Sequence, residues 1–202
     1  DVADGASLSG LVNGGGGTDL LDYADYTTVV TVDLSSGQTT GINANNPAGV
    51  SLVEDITGGS NADSLTGDSG PNTITGSAGD DQLIGLGGND TYIFADGWGD
   101  DTLSEANNVD QDTVDFSAVT GNLDITLSSV FVSDNPSGTC GVSANCLTHS
   151  GLGIDTFIAG QGDDSFHINA SLDIDLQGGP GVDEFIFADT QTLTGSIDGG
   201  AD

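Results

Sequence analysis

The residues of this chain that could do chemistry are carboxylates, and they recur at a fixed interval. Residues 58–93 divide into four nine-residue units: GGSNADSLT, GDSGPNTIT, GSAGDDQLI and GLGGNDTYI. Each begins with Gly, places Asp or Asn sixth (Asp63, Asn72, Asp81, Asp90) and an apolar residue eighth (Leu65, Ile74, Leu83, Tyr92). Carboxylate and carbonyl oxygens are hard ligands, and arrays of them select Ca2+. Related units occur at 14–22 (GGGGTDLLD, with Asp19), 96–104 (DGWGDDTLS, with Asp101) and 178–186 (GGPGVDEFI, with Asp183). Two more run in tandem at 150–158 and 159–167 (SGLGIDTFI and AGQGDDSFH, with Asp155 and Asp164). A degenerate copy, NNVDQDTVD, stands at 107–115, and second carboxylates flank the sixth residue at Asp80, Asp100 and Asp163.

The charge balance points the same way. The 202 residues include 32 acidic ones and no Lys or Arg, a formal net charge of -32. No cationic surface for nucleic acid can be built from such a chain. Phosphate clamps of the Lys or Arg kind are excluded, and an anionic membrane surface would repel it. Uncompensated charge of this size opposes compaction, so the chain is either disordered or neutralised by bound cations. Its 35% hydrophobic content is too high for a solvated acidic tail. No apolar run is long enough for a transmembrane helix, so membrane insertion is not expected. The first residues lack the basic and apolar regions of a signal peptide.

Those carboxylates need a scaffold. Six Gly-rich residues make a tight turn, because Gly reaches backbone conformations other residues avoid. The next three make a short strand whose eighth residue points inward. Two units close one coil, and coils stack at roughly 4.8 Å. Leu65 is then predicted over Leu83, Ile74 over Tyr92, Asp63 over Asp81 and Asn72 over Asp90. A column of carboxylates repels itself. Calcium between turns removes that repulsion and takes up turn carbonyls that have no ladder partner. Metal binding and stacking should therefore be one event. Outside the units, 27–34 (TTVVTVDL) and 123–132 (LDITLSSVFV) read as longer strands. Residues 133–149 read as an irregular loop.

On these units the chain resembles the repeats-in-toxin (RTX) family of calcium-binding nonapeptides. The resemblance covers 14–22, 58–104, 150–167 and 178–186, and TYIFADGWGDDTL (91–103) is similar to the segment that often ends such a block. It implies a right-handed parallel β-roll with Ca2+ between turns. The metal set it implies contains Asp19, Asp63, Asp81, Asp90, Asp101, Asp155, Asp164 and Asp183. Turn carbonyls such as those of Gly58, Ser60 and Gly76 complete it, with Asp80, Asp100 and Asp163 alongside. Asn72 belongs to the same set, and its uncharged side chain should weaken its site. Asn61 stands where the pattern has a Gly, and is expected to take a left-handed conformation.

The expected architecture is all-β, a right-handed parallel β-roll or β-solenoid with interspersed longer strands. It forms one elongated module over 1–202. N-terminal coils span 1–57, the regular block 58–104, a strand-rich segment with a cysteine loop 105–149, and C-terminal coils 150–202. At two units per coil it would hold roughly 11 coils over about 50–55 Å.

Other residues offer less. Cys140 and Cys146 suit a disulfide in an extracellular chain, worth about 2–3 kcal/mol, with unpaired thiols as the alternative. Zinc would need four ligands at a recognised spacing, which these residues lack. His149 and His167 read as structural or surface residues. Trp98 would cap a coil face, pack between modules or stack on a sugar. Nucleophile, zinc-protease and phosphate-loop motifs are absent, and paired carboxylates are too widespread to mark a glycosidase, so no enzymatic activity is expected.

The two ends are alike: LSGLVNGGGG (8–17) aligns with LTGSIDGGAD (193–202). This reads as one period of a tandem array or a unit stacking end to end on identical modules, against chance likeness of Gly-rich segments. The expected function is a calcium-stabilised structural module of a secreted or cell-surface bacterial protein, in a filament, stalk or surface layer. Alternatives are the calcium-dependent secretion domain of an exoenzyme, or an adhesive module binding a glycan or protein partner. The resemblance further implies a chain unfolded in the low-calcium cytoplasm that folds outside the cell.

Overall fold

The computed structural model describes residues 4–5, 7–42, 49–105, 110–127, 131–133, 145–149 and 153–201. Every helix or strand among them is a β-strand, and no helix is long and apolar enough to cross a membrane. The N-terminal strands are β1 (Val12–Asn13), β2 (Leu20–Asp22), β3 (Thr31–Asp33), β4 (Gln38–Thr39), β5 (Val50–Ser51) and β6 (Asp55–Thr57). The nine-residue units supply β7 (Ser64–Thr66), β8 (Thr73–Thr75), β9 (Gln82–Ile84), β10 (Thr91–Ala95) and β11 (Asp100–Ser104). Then come β12 (Asp112–Ala118), β13 (Asp124–Leu127), β14 (Phe131–Ser133) and β15 (Cys146–His149). The chain continues through β16 (Ile154–Ile158), β17 (Ser165–Ile168), β18 (Asp175–Gln177), β19 (Glu184–Phe187) and β20 (Ile197–Asp198).

Successive strands of the regular block go to opposite sheets. One sheet has eight strands in the order β2-β6-β8-β10-β12-β16-β18-β20, and all its pairings are parallel. The other has ten, in the order β19-β17-β13-β14-β15-β11-β9-β7-β3-β4. Strands β1 and β5 form a separate parallel pair. Parallel strands in register that alternate between two sheets are consistent with a β-roll.

The expected side-chain columns are present. Leu65 pairs with Leu83, and Ile74 with Ile56 and Tyr92. Leu65, Ile74, Leu83 and Tyr92 are fully buried. Each three-residue strand of the regular block buries only its middle residue, because alternate side chains face opposite ways. The strand after the regular block is longer: β12 runs seven residues and buries Asp112, Val114 and Phe116 in alternation. Its aromatic ring continues a column. Phe94 stacks on Phe116 at 4.5 Å, Phe116 on Phe157 at 5.5 Å, and Phe166 on Phe185 at 4.6 Å. Trp98 closes edge-on against Phe94 and Phe116 and is 1% exposed, which removes the sugar-stacking option.

Several expectations change. Only Thr31–Asp33 of 27–34 is a strand. Segment 123–132 divides into β13 and β14, which pair antiparallel. Strand β14 also pairs antiparallel with β15, so the second sheet is interrupted by one reversed strand. Strand β15 itself lies where a loop was expected; 134–144 fall outside the described residues. The eight parallel strands replace roughly eleven coils, because insertions lengthen several of the returns.

Candidate metal centres

Each unit's turn brings its sixth residue back against its first. At Gly85 a Cβ would collide with Asp90 Oδ2, Glu105 Oε1 and the Tyr92 hydroxyl. The first Gly is thus required for space. The fourth is required for conformation: Gly88 has φ 106° and Gly79 φ 130°. The sequence reading gave conformation alone as the reason. Asn61, expected to be left-handed, has no positive φ; its side-chain amide instead donates to the Thr27 carbonyl.

The sixth residues form rows. The Asp63 N–H donates to Asp81 Oδ1 at 2.7 Å, and the Asp81 N–H to Asp101 Oδ1 at 2.8 Å. Along the other sheet the Asn72 N–H donates to Asp90 Oδ1 at 2.8 Å and the Asp90 N–H to Asp112 Oδ1 at 2.9 Å. The Asp112 N–H then reaches Asp155 Oδ2 at 3.1 Å. A third row runs from the Asp164 N–H to Asp183 Oδ1 at 3.0 Å. Each Oδ1 is therefore satisfied by a neighbouring strand. The Oδ2 atoms of Asp19, Asp81, Asp90, Asp101, Asp112 and Asp183 are buried without a hydrogen-bond partner.

Buried anionic oxygens without partners are costly. Desolvation, first among the causes, pushes the Asp81 and Asp90 carboxyls up to about 7, Asp101 to about 8 and Asp164 to about 6. Neighbouring carboxylates add to each rise. The chain has no Lys or Arg to neutralise them. The donor set, hard oxygens facing one another with one lone-pair side open, fits Ca2+.

The candidate residues do not all behave alike. Asp63 and Asp164 have their Oδ2 atoms filled by the N–H groups of Gly59 (2.6 Å) and Gly160 (2.9 Å). Asn72 is wholly served by protein: its Oδ1 accepts the Asp68 N–H and its Nδ2 donates to the Glu54 carbonyl, both at 2.8 Å. Asp80, Asp100 and Asp163 are exposed, outside the buried rows. Their contacts are peripheral; Asp80 Oδ1, for example, accepts the Asp100 N–H at 3.2 Å. Gly58 and Gly76 are buried, whereas Ser60 is exposed, with its N–H donating to the Tyr26 carbonyl. Contrary to the expectation from sequence, several turn carbonyls have partners. Gly58 O accepts Ser77 Oγ at 3.2 Å, and Gly59 O and Asp68 O accept N–H groups from the next turns.

Three acidic residues stand outside the metal set expected from sequence. Asp112, in the degenerate copy, is fully buried in the second row. Glu54 takes the sixth residue's place beside Asp19, whose N–H it accepts at 3.0 Å. Glu105 joins Asp90 and Asp112. The D-x-V pattern at 112–114 was the available signal for the first; nothing local marks the other two. His149 is buried against the Leu103 carbonyl and His167 faces Asp124 at 3.5 Å, structural positions both. Cys146 is buried at the start of β15, and Cys140 lies outside the described residues.

A search of curated proteins finds none that matches this chain. The family model of the RTX calcium-binding nonapeptide repeat matches in 4 copies, over residues 57–92 and 149–167. These segments, in which Asp81 and Asp90 keep open buried oxygens, are RTX calcium-binding nonapeptide repeats, and the ion they bind is Ca2+.

Proposed function

We propose that the chain is a calcium-rigidified, non-catalytic structural module of a secreted or cell-surface bacterial protein. It is wound as a right-handed β-solenoid over 1–202 and joins end to end with identical modules. The observation that carries the calcium part is the set of buried Oδ2 atoms without partners in a chain that has no Lys or Arg. Asp81, Asp90, Asp101, Asp155 and Asp183, with Asp19, are the primary ligands. Carbonyls of the first and third turn residues, as at Gly58, Ser60 and Gly76, complete the shells. Asp63 and Asp164 contribute where a neighbouring row opens toward them. Asn72 forms the weakest site, and Asp80, Asp100 and Asp163 act as an outer acidic screen.

The likeness of the two ends supports the end-to-end reading. Leu8 and Leu193, aligned in sequence, each make an isolated parallel bridge, with Ile42 and Leu172. Val12–Asn13 and Ile197–Asp198, also aligned, are each two-residue strands in parallel pairs. Apolar residues are exposed near both ends, Leu11 and Leu20 at one and Phe187 and Ile197 at the other. A Cys140–Cys146 disulfide suits the extracellular setting, supported by the burial of Cys146 and by the absence of a free thiol among the described residues.

One calcium titration tests both parts, read by far-UV circular dichroism and sedimentation velocity. The β-sheet signal should appear with Ca2+ and vanish with chelator at neutral pH, and the sedimenting species should lengthen with protein concentration. A signal indifferent to chelator would refute the calcium part, and a strictly monomeric calcium-bound chain the end-to-end part.

A further inference from the structure

One group of carboxylates departs from the nine-residue pattern. Asp90, Glu105 and Asp112 each bring an oxygen within 4.8 Å of the others, and all three are buried. Asp90 directly precedes β10 and Asp112 begins β12, both in the eight-stranded sheet. Glu105 directly follows β11, in the other sheet. The Tyr92 hydroxyl donates to Glu105 Oε1 and so orients it into the group. Gly85 leaves the space open, since any side chain there would meet Asp90, Glu105 and Tyr92 together.

A second observation points to something from solution. Asp90 and Asp112 are 0% exposed, and their Oδ1 atoms are occupied by backbone N–H groups. Their Oδ2 atoms are buried and have no hydrogen-bond partner. Three gathered carboxylates cannot all ionise without a counter-charge, and the chain contains no Lys or Arg to provide one.

We propose that Asp90, Glu105 and Asp112 form a calcium site in which Glu105, a residue outside the repeat pattern, supplies the third carboxylate and ties the two sheets together. The inference rests on the calcium reading above and extends it to a residue that reading does not use. Ligands across a calcium ion lie up to about 5 Å apart, given bonds of about 2.3–2.6 Å, so the observed spacing fits. Each of the three carboxylates turns one oxygen toward the group, and turn carbonyls or water would complete a calcium shell of about six to eight. The ion here would bridge sheets as well as successive turns. The site lies where the regular block gives way to longer strands, so it would fasten that junction.

The test is equilibrium dialysis of the 202-residue chain with Ca2+ at pH 7.5, with metal analysis, for the unaltered protein and Glu105→Gln. The variant should bind one ion fewer per chain while retaining its β-sheet signal in excess Ca2+. Equal stoichiometry and affinity would overturn the proposal and indicate that shared protons neutralise the group. Should Glu105→Gln fail to fold, Tb3+ decides, because the Tyr92 ring beside the site sensitises its emission. Tyr92→Phe should then lose a tyrosine-sensitised component, and an unchanged emission titration would overturn the site. If the unaltered chain bound no Ca2+ at all, the calcium reading itself would fall, an outcome distinct from failure of Glu105 alone.

Discussion

Within residues 58–104 the chain returns to the same row after 18 or 20 residues: Asp63 to Asp81, then Asp81 to Asp101. Beyond Glu105 two returns are far longer, 43 residues from Asp112 to Asp155 and 41 from Leu123 to Asp164, before Asp164 returns to Asp183 in 19. In the first region every pairing is parallel, and its three-residue strands each bury a single aliphatic side chain. In the second, strands run up to seven residues, Phe rings fill the core, and β14 inserts against the prevailing direction. The amide-to-carboxylate row nevertheless crosses the junction, through Asp90, Asp112 and Asp155. The row, rather than the nine-residue spacing, is what the two regions share. Spacing is a cheap way to build a row, because short returns cost the least loop entropy. A long return can join the same row if its strand delivers a carboxylate at the right rung.

The comparison can be broken most severely by pH. Asp81, Asp90, Asp101 and Asp164 have their carboxyls raised to about 7, 7, 8 and 6 by desolvation. A raised carboxyl holds its proton when folded and releases it when unfolded, so metal-free stability is greatest below pH about 4 and is lost as pH climbs through about 6–8. Exposed Asp96 and Asp175 are lowered by hydrogen bonds to Thr120 and Ser196 and act in the opposite sense, but in solvent. Calcium-free protein should therefore show more β-sheet circular dichroism at pH 5 than at pH 8, with saturating Ca2+ erasing the difference. Three of these four carboxyls lie in the regular block, so hydrogen exchange should open that block first as pH rises. Opening of the 112–187 region first would reverse the assignment.

Core truncation sharpens the contrast at the next level. Phe116→Ala removes a ring stacked between Phe94 and Phe157 and should cost about 3–5 kcal/mol in calcium-saturated denaturant unfolding. Leu83→Ala, in an aliphatic rung between Leu65 and Leu103, should cost about 2–5 kcal/mol. A larger loss for Leu83→Ala would mean that the regular block carries the core. The smallest effect is expected at Asn72. Asn72→Asp restores the missing charge to the second row and should tighten one calcium site by about tenfold, worth about 1.4 kcal/mol. Isothermal titration reads it, and weaker binding would mean that the Nδ2 bond to Glu54 is needed for the turn.

The columns Leu65–Leu83 and Ile74–Tyr92 were legible because period and apolar position are local properties of the sequence. So was the vertical match of Asp63 with Asp81, which follows from unit length alone. The reversal at β14 was not read from sequence: the Ser128–Ser129 pair in 123–132 is only a weak turn signal, and the segment reads as one continuous strand. Nor was the division of labour between carboxylates. Asp100 and Asp101 are adjacent and chemically identical, and only the alternation of a strand sends one outward and the other into the row. Glu105 could not be found from spacing, because it enters from the opposite sheet.

The row bonds all point one way: the amide of an earlier rung reaches the carboxylate of a later one. The molecule therefore has a grain. Trimming from the C-terminal side would strand an amide hydrogen on the last surviving rung, whereas trimming from the N-terminal side would merely bare an oxygen that water can serve. A chain emerging N-terminus first would have each turn finished only by its successor, so its order would advance like a zip whose slider follows the newest tooth.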